Sequence, residues 1–229
     1  MTLQTLFLLA IFAVAMGLLE AAVVVYMRRL YYPTDPLSMF PMQFLDRYDA
    51  LVELSREVAT IVMLVTVALL VERASRTRSF AAFVFVFGVW DLFYYVWLKV
   101  LIDWPRSWLE WDVLFLIPMV WLGPWICPAL ISLLFIVWGS WTLRSPKPIA
   151  FSTVSFSVFT IGAALGLIAF FQPALGVLAE GDVEDLKQYV PGQFWWWLFA
   201  LSYWLMTWGL GLTLGLTKDS LKLKKAQAS

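Results

Sequence analysis

The strongest constraint on this chain is a set of apolar runs, each long enough to cross a lipid bilayer. Runs at about residues 3–27, 50–71, 79–102, 149–171 and 193–216 stand out, and a further one lies within 112–143. An α-helix rises about 1.5 Å per residue, so a hydrocarbon layer of roughly 30 Å calls for ~20 residues. Every run meets that length. None alternates with a period of two, so strands are not expected. Composition agrees: 62% of the 229 residues are hydrophobic and 14% charged, too apolar for a soluble domain to bury. The expected fold is all-α, a polytopic integral membrane bundle of six transmembrane helices forming a single domain over residues 1–229. The lipid bilayer is its first partner.

The fourth segment is irregular. "WDVLFLIPMVWLGPWICPALISLLFIVWGSWTL" is too long for one upright span. Residues 124–143 suffice to cross alone, at about 30 Å. Pro118 and the Gly123-Pro124 pair predict that helix 4 is broken or kinked, with residues 112–123 tilted or re-entrant. Non-helical backbone at membrane depth must be buried in protein or line water.

Basic residues in short loops set the orientation. Arg73, Arg76 and Arg78 lie between helices 2 and 3, Arg144 and Lys147 between helices 4 and 5, and Lys218, Lys222, Lys224 and Lys225 in the tail. With six spans these fall on one side, which places both termini in the cytoplasm. The acidic "EGDVEDLKQ" between helices 5 and 6 falls outside. Arg28 and Arg29, read as part of the 1–2 loop, oppose this assignment. The expected location is a multi-pass protein of a bacterial inner (plasma) membrane. The first run lacks a basic leader and is too long for a signal-peptide core. Tyr31, Tyr32, Trp97, Trp104, Trp108, Trp111 and Trp195–Trp197 suit an outer interfacial belt. The proline-rich 1–2 connection, with Phe40, Met42, Phe44 and Leu45, reads as an interfacial connector.

Two absences limit the chemistry. The chain has no histidine and one cysteine, Cys127. Histidine-ligated haem, zinc or chlorophyll is therefore not expected, nor a Ser-His-Asp triad or an internal disulfide. No P-loop, dinucleotide fingerprint or metalloprotease motif is present, no metal ligands are assigned, and the cofactor is left unknown. A net charge of zero gives no field for nucleic acid, so no such partner is expected.

The informative residues are the charges inside the runs. Glu20 lies roughly 10 Å below the outer end of helix 1, Glu57 roughly 8 Å below that of helix 2, Asp91 about 16 Å below that of helix 3, and Lys99 about 5 Å down. All share the outer half of the membrane. A charge at the bilayer centre costs at least about 2.5–3.5 kcal/mol, so these groups should face one another or a wet cavity. Glu53, Arg56 and Glu57 share one helix face, as do Asp91, Tyr95 and Lys99. Asp91 and Lys99 are about 12 Å apart along the axis, so Asp91 needs an answer from another helix. Arg56 is the first candidate, then Tyr94 or Tyr95. Asp103, Arg106, Glu110 and Asp112 surround the outer turn between helices 3 and 4. Glu20, Glu53, Glu57 and Asp91 outnumber Arg56 and Lys99, an excess that favours a bound proton or cation.

The expected binding residues are Glu20, Arg56, Glu57, Asp91, Tyr95, Lys99 and Asp112. They suit an outward-facing acidic pocket that binds or transports a proton, cation or small polar solute. Two other classes fit the same residues: a non-catalytic accessory subunit with membrane protein partners, and a membrane-embedded enzyme using carboxylate acid/base or hard-metal chemistry on a lipid-like substrate. The sequence does not choose among them, and enzymatic activity is left open.

Overall fold

The computed structural model describes all residues except 38, 42–44, 74, 118, 181–191 and 227–229; for 178–180 and 215–226 it describes the backbone alone. The acidic 5–6 loop, Pro118, Met42, Phe44 and the basic tail side chains lie outside the described residues. Among the described residues six helices form: α1 (Leu3–Tyr31), α2 (Arg47–Val71), α3 (Arg76–Ile102), α4 (Ile126–Arg144), α5 (Thr153–Glu180) and α6 (Trp196–Ala226). All six are long and apolar enough to cross a membrane, so the chain is a multi-pass membrane protein.

Local chemistry sets the helix ends. Asp46 caps α2 by accepting the Asp49 N–H at 2.8 Å, and Ser75 caps α3 by accepting the Arg78 N–H at 3.2 Å. α3 stops at Asp103, which adopts a left-handed backbone with φ 58°, a conformation aspartate tolerates better than most residues. α1 runs four residues past its expected end at 27, so Arg28 and Arg29 belong to its last turn rather than to a loop. Cations suit that carbonyl-rich end, and Pro33 lies just beyond it.

The expectation of a broken helix over 112–143 needs correction. The stretch before α4 is not a helical piece: Trp111–Phe115 (β1) and Trp121–Pro124 (β2) form an antiparallel hairpin, and α4 begins only at Ile126. The expectation of no strands fails with it. The hairpin satisfies its backbone groups by pairing, with Trp111 opposite Pro124 and Asp112 opposite Gly123. The Trp125 N–H closes its base on the Glu110 carbonyl at 3.0 Å. Pro124 lacks an N–H and is tolerated at a strand end.

α3 is the central element, packed against α1, α4 and α2, while α5 packs on α6 and β2 rests against α5. The approaches are close. A Cβ on Gly17 would stand 2.9 Å from the Trp90 carbonyl, and one on Gly88 would stand 2.6 Å from the Ser132 carbonyl. One end of the bundle gathers the N-terminus, the 2–3 turn and the end of α4. There Arg78 pairs with Glu72 at 2.9 Å and donates to the Leu143 carbonyl at 3.0 Å, while the Met1 amino group donates to the same carbonyl at 3.1 Å. Beneath these polar contacts lies a largely apolar core that includes Leu9, Ala13, Met16, Leu64, Ala68 and Phe85. The site lies toward the other end, lined by α1, α2, α3 and the hairpin.

Candidate functional site

A cavity of about 420 Å³ lies between α1, α2, α3 and the hairpin. Glu20 on α1, Glu53, Arg56 and Glu57 on α2, and Asp91, Tyr94 and Tyr95 on α3 all line it. Most of its wall is apolar, from Val24, Met27, Val113, Leu114 and Val120. The 1–2 connection contributes Tyr32, Met39 and Leu45. Tyr32 is held there by its hydroxyl, which donates to the Met39 carbonyl at 3.1 Å. The Tyr31 hydroxyl donates to the Asp49 carboxylate at the head of α2.

Arg56 bridges the gap between α1 and α2. Its Nε donates to Glu53 Oε2 at 2.9 Å, and its Nη1 donates to Glu20 Oε1. These three side chains are mostly buried. The spacing of Glu53 and Arg56 along one helix face already allows that pair; the link to Glu20 requires the fold.

Glu57 shares that face but does something different. It accepts the Leu116 N–H from just beyond β1, at 3.0 and 3.1 Å to its two oxygens. A membrane-embedded carboxylate thus holds the hairpin against α2 and satisfies a backbone donor that pairing leaves free.

Asp91 is 8% exposed. The sequence suggested Arg56, Tyr94 or Tyr95 as its partner. Ser132 on α4 takes that role instead, donating from Oγ to Oδ2 at 2.7 Å. No signal in the sequence pairs a serine on one span with an aspartate on another. Among the described residues neither Asp91 nor Glu57 forms an ion pair.

Lys99 stands apart from this group. Its side chain is 51% exposed, pairs with Asp103 at 2.7 Å and donates to the Pro105 carbonyl at 3.0 Å. The long stem carries the ammonium outward, away from the cavity. That ammonium holds the Asp103 carboxyl below its ordinary range.

Asp112 is fully buried at the start of the hairpin, and its counter-ion is Arg28, at 3.6 Å. Burial pushes the Asp112 carboxyl up to about 6, with Arg28 pulling the other way. Arg28 is 2% exposed, lines the cavity, and lies over the Trp104 ring at 4.1 Å from its centroid. Its Nη2 contacts Met39 Sδ at 2.7 Å. Its Nε and Nη1 have no hydrogen-bond partner among the described residues. Arg28 is the residue that sequence reasoning missed, because a basic pair before a proline-rich segment looks like a loop charge. Trp104, assigned to the interfacial belt, is 1% exposed and forms the floor under this guanidinium instead. Trp108 and Trp197, at the same end, are exposed as a belt requires.

The cavity therefore gathers Glu20, Arg56, Glu57, Asp91 and Tyr95, with Asp112 behind Arg28 and Lys99 outside. Among the described residues no three His, Cys, Asp or Glu side chains come together closely enough to hold a metal ion. The carboxylates are spread around the wall instead. No protein-family model, no curated protein and no solved structure matches this chain.

Proposed function

We propose that this chain is a binding protein of the plasma membrane whose cavity, facing the outside, takes a small organic solute carrying a positive charge. The observation behind this reading is the charge balance of the wall. Glu20 and Glu53 share Arg56, and Asp112 takes Arg28; Glu57 and Asp91 line the same cavity without an ion-pair partner among the described residues. Two carboxylates in so apolar a setting, each with a hydrogen-bond donor but no ion pair, favour a proton or a cationic ligand. Trp90, Tyr94 and Tyr95 line the same cavity, and an aromatic wall suits an ammonium group with an apolar body. The spread of the carboxylates favours an organic cation over a metal ion. The apolar packing beyond Asp91, toward the end that holds the N-terminus, favours binding over conduction.

The test compares benzyltrimethylammonium with neopentylbenzene, its neutral carbon analogue, by thermal unfolding of the purified protein in nanodiscs. The cation should raise the unfolding temperature, the neutral compound should not, and Asp91→Asn should abolish the response while remaining folded. Equal responses to both compounds, or an undiminished response in folded Asp91→Asn, would reject the reading.

A further inference from the structure

Arg28 is oddly placed for a structural residue. A guanidinium carries five N–H donors, and burial normally demands that they be used. Here Asp112 supplies charge at 3.6 Å, too far for a normal hydrogen bond, and Met39 supplies a thioether. Nε and Nη1, both closed off from solvent, are left without hydrogen-bond partners among the described residues, as are both Asp112 carboxylate oxygens, while Arg28 itself lines the cavity. The Trp104 ring fixes the guanidinium from one face. The residue is held in place but under-used as a donor, which is the state of a preorganised recognition group awaiting an acceptor.

Its position adds a second constraint. Arg28 lies eight residues beyond Glu20 on α1, which is about 12 Å along the helix axis. The carboxylates without an ion-pair partner, Glu57 and Asp91, belong to the deeper part of the cavity, and Arg28 belongs to the outer part beside Tyr32 and Met39. Between them the wall is apolar, from Val24, Met27, Val113 and Leu114.

We infer that Arg28 receives an anionic group of the same ligand whose cationic end lies against Asp91 and Glu57, so that the cavity takes a zwitterionic amphiphile with an apolar middle. This inference rests on the cation-binding reading of the cavity. The carboxylate or phosphate of such a ligand completes the donors of Arg28, and its apolar spacer covers the wall between the two polar ends.

Four probes of one length test it: decanoate bearing a terminal trimethylammonium group, the methyl ester of that compound, the decanoate bearing a terminal tert-butyl group, and the methyl ester of the latter. Binding to the protein in nanodiscs is measured by titration. The zwitterion should bind about tenfold or more tightly than its ester, a gain of the size a charge-assisted contact provides. Arg28→Gln should erase that gain, so that the zwitterion and the cationic ester bind the variant equally. Should Arg28→Gln fold poorly because Asp112 loses its counter-ion, the double variant Arg28→Gln/Asp112→Asn keeps the site neutral and serves the same comparison. Equal binding of zwitterion and cationic ester to the native protein would overturn this inference and leave the cation reading standing. A gain that survives removal of Arg28 would overturn it too. Preference for the tert-butyl acid over both trimethylammonium probes would overturn the cation reading and with it the zwitterion. Binding of none of the four would overturn both.

Discussion

Ser132 on α4 donates a 2.7 Å hydrogen bond to Asp91 on α3, and Gly88 is what lets the two helices come close enough to make it. A Cβ at position 88 would stand 2.6 Å from the Ser132 carbonyl, a backbone atom that cannot swing aside. The bond and the helix approach are therefore one feature. Gly88→Ala should cost about 1–3 kcal/mol by overpacking, and Ser132→Ala about as much by stripping a buried carboxylate of its donor. Unfolding of both single variants and the double variant measures the coupling. Strict additivity would show that the two positions act independently, against the geometry.

Arg56 holds α1 to α2 through Glu20 and Glu53. Arg56→Met leaves two mostly buried carboxylates without their cation and should destabilise the protein by about 3–5 kcal/mol. The triple variant Glu20→Gln/Glu53→Gln/Arg56→Met should recover much of that loss, because no charge is left stranded. Denaturant titration of the single and triple variants decides. An Arg56→Met protein as stable as the native one would mean that the bridge is not structural.

Asp112 predicts a pH dependence. Its folded value of about 6 lies above the ordinary 3.8, so the folded state holds the proton more tightly than the unfolded chain. Stability from this group is then present at low pH and is lost as pH rises through that window, becoming constant above it. Relative to Asp112→Asn, which cannot titrate, the native protein should gain stability as pH falls from about 7 to about 4. Unfolding midpoints of the two proteins across that range give the difference curve. A flat curve would remove the buried, proton-holding role of Asp112.

Sidedness is tested with thiols. Cys127 is buried, so the native chain offers no accessible sulfhydryl among the described residues. Ser107→Cys, in the exposed turn after α3, should react with a membrane-impermeant maleimide in intact cells. Lys147→Cys, in the exposed turn between α4 and α5, should react only after permeabilisation. The reverse pattern would turn the cavity toward the cytoplasm.

The sequence alone determined the solvent and the number of spans. Long apolar runs have one stable solution in lipid, because a helix satisfies its own backbone hydrogen bonds within each run. It also picked out Glu20, Arg56, Glu57 and Asp91, since a charge within such a run is expensive wherever the helix turns. The same local logic located the irregular stretch before α4 but not its form. Tyr95 followed from its place on the Asp91 face.

What remained belonged to tertiary structure. The hairpin of β1 and β2 satisfies its backbone hydrogen bonds through a partner strand and Glu57, neither of which is visible in a window of sequence. Arg28 became a cavity residue only because α1 continues to Tyr31 and brings it over Trp104 and beside Asp112, 84 positions away. Lys99 left the site for the opposite reason: a long flexible stem at a helix end reaches Asp103 and water more readily than a buried partner. Helical rise gives the depth of a charge along its own span. Which group on another helix answers that charge depends on the direction each span faces, and packing at Gly17 and Gly88 sets that direction.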